Sequence, residues 1–292
     1  MFSISAHAKI NWSLDILGTR PDGYHIMDML MQCISLHDTL TFVSSDQIFL
    51  YSANTDASDD ITYDENNLVY RAAQLLKSKT NINKGVTIYL NKRIPSGAGL
   101  GGGSADAAGT LIGLNTFWNL NLPMETLAKY ALELGADVPF LLGGGLARVN
   151  GIGEIITPLS PPPSFPLVLI QPCSALSTAE IFHSFDSFPS SDIIHPKTNK
   201  LEQALLSKDI NSLCENMYNV LQPISLLKRP EMQSAIDSLY HFGSKGAMMS
   251  GSGSVVYGVF ENENLAKIAF EQLSKIYDKC YLASSVTHGV IL

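Results

Sequence analysis

Six glycines are concentrated in a fifteen-residue stretch, PSGAGLGGGSADAAG, which runs from Pro95 to Gly109. The whole chain has only 22 glycines in 292 residues, and glycine loses more backbone freedom on folding than any other residue. A β-branched segment precedes the stretch, and a helix of small residues is predicted to follow it. Glycines placed there let backbone N–H groups point at an anion, which the positive end of the helix also attracts. The stretch therefore predicts a phosphate-binding loop, with a purely structural turn as the alternative.

Gly97, Gly99 and Gly102 satisfy the pattern GxGxxG, but the sequence around them disagrees with the familiar families that use it. A dinucleotide fold needs an acidic residue about 20 positions later, at the end of a strand. The segment WNLNLPMET, predicted as a helix end and a turn, occupies that region. A Walker A loop ends in Gly-Lys-Ser/Thr, whereas this one ends in Gly-Gly-Ser-Ala, and the HRD and DFG signatures of protein kinases are absent. The context therefore disfavours a nicotinamide-dependent oxidoreductase.

Two charged residues occur in apolar sequence, where a charge is unexpected. Asp137 lies in GADVPFLL, where a carboxylate is partly desolvated and costly without a partner. Lys9 lies on a predicted apolar strand, where lysine is rare unless it is paired or functional. Considered alone, Asp137 is an N-cap or turn residue, and Lys9 extends its ammonium to solvent. The alternative is a functional role for each charge: phosphoryl transfer needs positioning and charge compensation, and a hydroxyl acceptor benefits from a base.

The composition is that of an ordinary globular protein, with 46% hydrophobic residues, 16% charged residues and a net charge of −8. Nucleic acids and anionic membranes select basic surfaces, so we expect neither as a partner. Four scattered cysteines without a CxxC spacing predict a reduced chain with no zinc site. The opening MFSISAHAKINW predicts neither a secretion signal nor a transit peptide. We therefore expect a cytoplasmic protein. The sequence does not fix its oligomeric state, and our expectation is a monomer or a weak homodimer that binds small molecules.

Strands and helices are mixed along the chain without the strict alternation of a doubly wound sheet. Apolar patterning predicts strands over 2–17, 36–51, 85–94, 167–172 and 279–287, short strands and turns over 136–159, and a strand, turn and strand over 245–260. It predicts helices over 65–80, 105–120 with Ser104 as N-cap, 123–134, 197–221, 229–241 and 263–276. The segment SANTDASDD, residues 52–60, is predicted to be a polar loop.

This mixture of elements predicts an α+β fold in two lobes. The proline-rich run PLSPPPSFP, residues 158–166, is the predicted connector because prolines favour extended linkers. We therefore place an N-terminal lobe with the phosphate loop at 1–157 and a C-terminal lobe at 158–292.

Three segments resemble the motifs of the GHMP kinases, the superfamily of galactokinase, homoserine kinase and the mevalonate kinases. PSGAGLGGGS resembles their phosphate loop, AKINWSLDILGTRPDGYH their first motif and GAMMSGSGSVVYG their glycine-rich third motif. The three segments occur in the family's order between Ala8 and Gly258. The resemblance implies a two-lobed fold with an N-terminal nucleotide-binding lobe and a C-terminal α/β-sandwich (ferredoxin-like) lobe. It also implies an active site between the lobes.

The segments AKIN, RPDGYH and GADVPF narrow the resemblance to one family, the 4-diphosphocytidyl-2-C-methyl-D-erythritol kinases. These enzymes use ATP to phosphorylate the 2-hydroxyl of their substrate, in the methylerythritol phosphate route to isoprenoids. The resemblance implies the same activity here, with Mg²⁺ accompanying ATP and no metal ligand assigned on the chain. A different small-molecule GHMP kinase and a non-catalytic ATP-binding sensor remain the alternatives.

The resemblance also implies roles for the charged pair and the phosphate loop. Asp137 would be the general base, and Lys9 would contact both its carboxylate and the acceptor oxygen. The resemblance is weaker for Asn67, Leu68 and Lys92, which it places near adenine. For Leu68, a position in the hydrophobic core is the alternative. The residues expected to bind ATP are Pro95, Ser96, Gly97, Ala98, Gly99, Leu100, Gly101, Gly102, Gly103, Ser104, Ala105, Asn67, Leu68 and Lys92.

For the acceptor, the resemblance implies a cytosine held between two aromatic rings. Tyr24 and Phe182 would stack on the two faces of the base, which contributes roughly 1–3 kcal/mol per base. His25, Asn11 and Thr178 would read the cytosine edge and the polar groups of the substrate.

The chain departs from its family's patterns in the residues after the glycines. Gly102 and Gly103 stand where many GHMP kinases have two serines, a change that the diphosphocytidyl kinases share. Ala105 replaces a serine that those kinases commonly have, which removes a hydroxyl from the loop. Asp106 either contacts Mg²⁺ or favours the helix N-terminus electrostatically, and we expect the second. We expect the SGSGS turn, residues 250–254, to pack beneath the phosphate loop.

Overall fold

The structure, a computed structural model, describes residues 1–54, 61–160, 164–189, 191 and 193–292. The strands are β1 (Phe2–Thr19), β2 (His25–Ser45), β3 (Ile48–Ser52), β4 (Gly85–Asn91), β5 (Leu146–Gly151), β6 (Ile155–Leu159), β7 (Pro166–Ile170), β8 (Tyr218–Asn219), β9 (Gly246–Met249), β10 (Val256–Val259), β11 (Cys280–Ser284) and β12 (Val290–Ile291). The helices are α1 (Leu68–Thr80), α2 (Gly102–Phe117), α3 (Met124–Leu134), α4 (Val138–Gly143), α5 (Thr178–Asp186), α6 (Thr198–Ser207), α7 (Ile210–Asn216), α8 (Gln222–Lys228), α9 (Glu231–His241) and α10 (Glu263–Leu273).

A long antiparallel hairpin of β1 and β2 forms the centre of the first sheet. Its strands have 18 and 21 residues, far longer than the usual strand of about 5 or 6. The pairing shifts register between His7 and Lys9 and again between Asn11 and Ser13, and such bulges re-aim side chains. Every residue from Ala6 to Ile16 is buried. The hairpin therefore carries polar side chains deep into the molecule at its centre.

The helix α2 packs on this hairpin through small residues. A Cβ at Gly113 would lie 2.6 Å from the ring of Phe42, and one at Gly109 would lie 3.0 Å from Ile4. Only glycine permits so close an approach of helix and sheet at these positions. The glycines of α2 thus set its distance from the sheet, and with it the position of its N-terminus.

The second sheet has four antiparallel strands in the order β11-β7-β10-β9. Its strand β7 is buried over its whole length. The helices α9 and α10 pack their apolar faces against this sheet. Tyr257 on β10 and Phe165 contact the ring of Trp12 edge-on, at 5.8 and 5.9 Å between ring centroids. The two sheets and their helices confirm the predicted two-lobed α+β fold.

The chain crosses between the sheets more often than a simple two-lobe division implies. The first sheet includes β12 and β8, which pair with β1 and come from the C-terminal half. The expected boundary between 157 and 158 falls within β6, which pairs with β5. The division into 1–157 and 158–292 therefore stays a proposal.

Several elements differ from the patterns read in the sequence, among them α8, which lies between two predicted helices. The segment 138–143 is helical, whereas short strands and turns were predicted there. The helix was missed because six residues are too few to show a helical period. The helix after the glycines begins at Gly102 with Gly101 at its N-cap, so the predicted N-cap Ser104 lies inside the helix. The helix α5 was not predicted, although Ser177 accepts from the Glu180 amide in an ordinary N-cap.

Other differences concern the extent of elements. The strand β2 begins at His25, well before the predicted start at 36, and the predicted helix 197–221 is divided into α6, α7 and the short β8. Part of the predicted polar loop, residues 55–60, and residues 161–163 of the proline connector lie outside the described residues.

Within the described ranges, no helix is long and apolar enough to span a bilayer. Cys33, Cys173, Cys214 and Cys280 are all free.

Candidate active site

A cavity of about 580 Å³ brings together most of the residues predicted to do chemistry. Both charged candidates, the glycine stretch and four of the predicted acceptor contacts contribute to it. Its lining includes Lys9, Asp137, Gly97, Ala98, Gly99, Gly101, Gly102, Gly103, Ser104, Tyr24, His25, Thr178 and Phe182. The cavity lies between the hairpin β1–β2, the start of α2, and the segments of the C-terminal half that carry α5 and the SGSGS turn.

The glycine stretch meets the cavity at the first turn of α2. Gly97, Gly99 and Gly101 have positive φ angles of 62°, 84° and 68°, a conformation that side chains other than glycine rarely adopt. The first four N–H groups of any helix lack a partner within that helix and carry the positive end of its dipole. The residues 101–104 line the cavity, so the N-terminus of α2 lies at the cavity wall, and phosphate binding by the stretch stays a prediction.

Several predicted ATP contacts cannot use their side chains. Pro95, Ala98, Leu100 and Ala105 are buried, whereas Ser96 is exposed. Leu100 also accepts a hydrogen bond from the Lys9 amide through its carbonyl, at 3.0 Å. Pro95 has no N–H group, and the Ala105 amide donates to the Gly101 carbonyl at 2.8 Å, so neither offers a free backbone donor. Contact of these positions with ATP stays a prediction.

The SGSGS turn packs directly against the glycine stretch, which confirms the prediction for residues 250–254. Ser250 Oγ donates to the Gly99 carbonyl at 2.9 Å, and the Val255 amide donates to the Ala98 carbonyl at 3.1 Å. A Cβ at Gly99 would overlap the carbonyl oxygen of Ser250. The close approach of these two segments therefore requires glycine at position 99.

Lys9 and Asp137 meet inside the cavity. The Lys9 ammonium lies 3.7 Å from Asp137 Oδ2, and their side chains are 5% and 33% exposed. Lys9 thus does not extend to solvent. Asp137 stands at the N-cap position of α4, but its carboxylate makes no capping hydrogen bond among the described residues. The carboxylate is therefore available to a ligand, with a compensating cation beside it.

Asn11 supports Lys9 from beneath. Its Oδ1 accepts from the Lys9 ammonium at 2.8 Å and from the Gly251 amide at 3.1 Å. Asn11 is fully buried and is not part of the cavity lining. The structure thus places it against Lys9 and the SGSGS turn, while direct contact with a substrate stays a prediction.

Four of the five predicted acceptor contacts, Tyr24, His25, Thr178 and Phe182, line the cavity. Tyr24 is 60% exposed, and the Phe182 ring lies 5.0 Å from the ring of His25. His25 Nε2 lies 2.7 Å from Asp186 Oδ1, and Thr178 Oγ1 lies 2.9 Å from Ser252 Oγ. Two aromatic side chains and several polar ones therefore surround this part of the cavity.

A smaller cavity of about 260 Å³ adjoins the other side of the glycine stretch and holds the predicted adenine contacts. Its lining includes Asn67, Leu68, Lys92, Ser96 and Gly103. The Asn67 side chain is occupied in part, because it caps α1 by accepting from the Val69 amide at 2.9 Å.

The ammonium of Lys92 is committed to two buried carboxylates. It pairs with Asp38, and with Asp106 at 2.8 Å. Burial alone lowers the pKa of Lys92, but the charges of Asp106 and Asp38 raise it above its usual value. For Asp106 burial has the opposite effect: it raises the pKa of the carboxyl group well above its ordinary value, although the charge of Lys92 lowers it. Asp106 therefore does not act at the helix N-terminus as predicted; it lies one turn further along α2, in an ion-paired cluster.

Comparison with known proteins places the chain in a family. Models of the GHMP kinases N terminal domain and of the GHMP kinases C terminal match residues 67–145 and 201–279. A 4-diphosphocytidyl-2-C-methyl-D-erythritol kinase of Alkaliphilus metalliredigens is 39% identical over 283 residues, which cover 97% of this chain and 96% of that protein. The kinase of the same name from Bacillus subtilis is 40% identical over 278 residues, 94% of each chain. The chain belongs to the 4-diphosphocytidyl-2-C-methyl-D-erythritol kinase family.

Solved structures agree with membership of the 4-diphosphocytidyl-2-C-methyl-D-erythritol kinases. The crystal structure of a 4-(cytidine 5'-diphospho)-2C-methyl-D-erythritol kinase matches with a TM-score of 0.82 and 31% identity, over 97% of this chain and 99% of that chain. A homoserine kinase from Cytophaga hutchinsonii matches with a TM-score of 0.77 and 18% identity, over 99% and 96% of the two chains. The second match shows a shared fold alone. The resemblance found in the sequence is thus confirmed at the level of the family.

Two features of this family member were missed from the sequence. Asp38, in the segment LHDTL, gave no signal beyond a carboxylate within a predicted strand, yet it is fully buried and accepts from Lys92 and from the amides of Arg93 and Ile94. Asp186 contacts His25 from a helix that was not predicted. Its position four residues after Phe182, one helical turn away, was the only available signal, and it required knowing that the segment is helical.

Proposed function

We propose that this chain transfers the γ-phosphoryl group of ATP to the 2-hydroxyl of 4-diphosphocytidyl-2-C-methyl-D-erythritol. The products are ADP and the 2-phosphate, in the methylerythritol phosphate route to isoprenoids. One observation carries the proposal: Lys9 and Asp137 lie in the same cavity as the N-terminus of α2 and the side chains of Tyr24 and Phe182. An anion site, a carboxylate with its compensating cation, and aromatic rings for a nucleobase are what this reaction requires.

Asp137 is the group that takes the proton from the acceptor. The 2-hydroxyl oxygen attacks the γ-phosphorus, its proton passes to the Asp137 carboxylate, and the bond to the β–γ bridging oxygen breaks to release ADP. The carboxylate is 33% exposed and makes no capping bond among the described residues, so it can reach a hydroxyl in the cavity. A base in that position typically contributes ~10²–10⁴ in rate.

Lys9 compensates negative charge at the reacting centre. Its ammonium is 5% exposed and lies 3.7 Å from Asp137, within reach of an oxygen that enters between them. Catalysis of phosphoryl transfer is largely positioning and charge stabilisation. The hydrogen bond from Lys9 to Asn11 at 2.8 Å holds the ammonium in that place.

The phosphates of ATP would lie on the backbone N–H groups of the glycine stretch, with adenine in the smaller cavity beside Asn67 and Leu68. Mg²⁺ usually keeps several water ligands and binds one or two carboxylates together with phosphates. In the part of the chain that the structure describes, no cluster of three acidic, His or Cys side chains forms a metal site. Ser104, whose hydroxyl group belongs to the glycine stretch and lines the cavity, is an oxygen-bearing side chain that would fit such an ion, while Asp137 is kept for the proton. When bound with ATP, Mg²⁺ would neutralise phosphate charge.

The cytosine would lie between Tyr24 and Phe182, with the polar groups of His25 and Thr178 at its edge. Tyr24 is exposed and follows a turn, so its ring can close over a base. We further propose a cytoplasmic, monomeric or weakly dimeric protein, since its four free cysteines suit a reducing compartment.

The test is ADP release with Mg-ATP and four acceptors: the diphosphocytidyl methylerythritol, homoserine, mevalonate and galactose. Turnover with the cytidine compound alone is the expected result. Turnover with another acceptor would keep a kinase but exclude the cytosine site. ATP binding without turnover of any acceptor would replace the proposal by a nucleotide-binding sensor.

A further inference from the structure

The ring of His25 is held on three sides at the acceptor end of the cavity. Its side chain is 11% exposed, and the rings of Phe182 and Phe185 lie 5.0 and 6.2 Å from it. Its Nε2 lies 2.7 Å from Asp186 Oδ1. The imidazole therefore has one orientation, set by α5, which carries all three of these neighbours.

The contact with Asp186 determines which nitrogen of His25 carries the proton. An ionised carboxylate can only accept hydrogen bonds, so Nε2 must be the protonated nitrogen. In the neutral ring, Nδ1 then keeps a lone pair and accepts. Among the described residues Nδ1 has no hydrogen-bond partner, while His25 lines the cavity. Nδ1 is the atom left for a ligand, and that ligand must bring a donor.

We propose that Asp186 is a positioning residue that makes this site select an amino-pyrimidine over an oxo-pyrimidine. The proposal rests on the proposed function, in which a nucleobase lies between Tyr24 and Phe182. Cytosine has a 4-amino group, which can donate to Nδ1. Uracil has a carbonyl oxygen there, and its lone pairs would face the lone pair of Nδ1. Asp186 acts through His25, since it is not among the residues that line the cavity.

A site that hydrogen-bonds a particular group rejects analogues that lack it far more strongly than an apolar pocket does. We therefore expect wild-type protein to bind CDP at least ~10-fold more tightly than UDP, with the same preference in kcat/KM between the cytidine acceptor and its uridine analogue. Substitution by Asn removes the fixed acceptor, because an amide can either donate or accept at Nε2. Both tautomers of His25 then become available.

The experiment compares wild type with Asp186→Asn and Asp186→Ala, using calorimetric binding of CDP and UDP. Glu180→Gln is the matched control, because Glu180 is an exposed carboxylate on the same helix. We expect both Asp186 variants to bring the CDP/UDP ratio within a few-fold of one, through weaker CDP binding, and the control to retain it. For the kinase reaction, Asp186→Asn should raise KM for the cytidine acceptor and leave kcat within about two-fold.

Nitrogen-15 spectra of the His25 ring give a readout that a merely structural role would not change. We expect Nε2 protonated and Nδ1 unprotonated in the neutral wild-type ring, and a mixture of tautomers in Asp186→Asn. A protonated Nδ1 in the neutral wild-type ring would overturn the proposal. An unchanged CDP/UDP ratio in folded Asp186 variants would do the same.

Failure of this inference is distinguishable from failure of the proposed function. If wild type phosphorylates the cytidine acceptor but binds CDP and UDP equally, the inference is wrong and the function stands. If wild type neither binds CDP nor turns over the cytidine acceptor, both are wrong.

Discussion

The ammonium of Lys9 is positioned by oxygen atoms of two kinds. The amide oxygen of Asn11 accepts from it at 2.8 Å, and the Asp137 carboxylate lies 3.7 Å away. The first contact is a hydrogen bond, whereas the second is longer than one and leaves room for an acceptor oxygen to approach. Buried lysines are rare unless paired, so this arrangement favours function over stability as the reason for the charge.

Replacement of Asp137 by Asn should lower kcat by ~10²–10⁴, because the base is lost while the shape of the site is kept. The fold should persist, since the carboxylate makes no capping bond among the described residues. Lys9→Met should cause a loss of the same order. The measurement is steady-state ADP release together with thermal unfolding, and Glu133→Gln, at a surface pair with Lys79, is the control. A folded Asp137→Asn variant with kcat within ten-fold of wild type would contradict the assignment.

The pH dependence of stability should report the buried cluster of Asp38, Lys92 and Asp106. The pKa of Asp106 is raised in the folded protein by burial, above an unfolded value of about 3.9. Between those two pKa values the folded state binds more protons than the unfolded state, so the free energy of unfolding falls as pH rises. Asp106→Asn removes this titration and keeps an oxygen that accepts from Lys92.

We therefore expect the free energy of unfolding of Asp106→Asn, relative to wild type, to increase as pH rises from 5 towards the folded pKa of Asp106, about 8, and to level off above it. Denaturant unfolding at several pH values measures it. Parallel pH profiles of the two proteins would show that Asp106 does not titrate differently on folding. Lys92→Met is the contrasting variant, because it leaves the buried Asp38 carboxylate without its cation and should destabilise by about 3–5 kcal/mol.

At the scale of elements, the start of α2 is held from two directions. The Lys9 amide on β1 donates to the Leu100 carbonyl, and the SGSGS turn bonds to Ala98 and Gly99. These contacts join the first sheet, the glycine stretch and the second sheet at one place. A helix N-terminus binds an anion only where its N–H groups are exposed to the ligand. The backbone contacts on either side fix the position of the glycine stretch relative to these N–H groups.

Gly99→Ala should disrupt this junction. Gly99 has φ 84°, and its Cβ would overlap the Ser250 carbonyl, so the two segments must separate. We expect a loss of about 1–3 kcal/mol in unfolding free energy and a raised KM for ATP. Gly103→Ala is the matched control for stability, because a Cβ there meets only the end of the flexible Leu68 side chain, at 3.3 Å. Equal stability of the two variants would contradict the role of the close approach.

At the scale of the whole molecule, the two sheets are joined by a buried hydrogen bond as well as by packing. The Tyr257 hydroxyl on β10 donates to the Asn11 carbonyl on β1 at 2.7 Å, and both residues are fully buried. The Asn11 side chain meanwhile holds Lys9. The contact between lobes is therefore connected through Asn11 to Lys9.

Tyr257→Phe should lower the free energy of unfolding by about 1–3 kcal/mol, because the Asn11 carbonyl is left buried without a partner. Denaturant unfolding checks this, with Tyr89→Phe, at an exposed ring on β4, as the control. A loss no larger than that of the control would show that the carbonyl finds another partner.

Much of the site could be predicted from the sequence because its signals are local. A glycine stretch between a strand and a helix forms an anion site through backbone geometry alone. Lys9 and Asp137 could be identified as candidates because a charge in apolar sequence is costly without a partner or a function. The short helix α4 was missed because its six residues contain too little of a helical period, and α5 was missed although its N-cap is regular.

The sequence by itself determined which residue types were available: the glycine stretch, the Asp137 carboxylate, the Lys9 ammonium and the aromatic rings. Tertiary structure alone decided which of them meet. His25 and Asp186 are 161 residues apart, and the buried cluster joins Asp38 to Lys92 across 54 residues. Such pairs depend on the register of long strands and on how helices pack against them. That register is set by the burial of whole faces rather than by any local pattern.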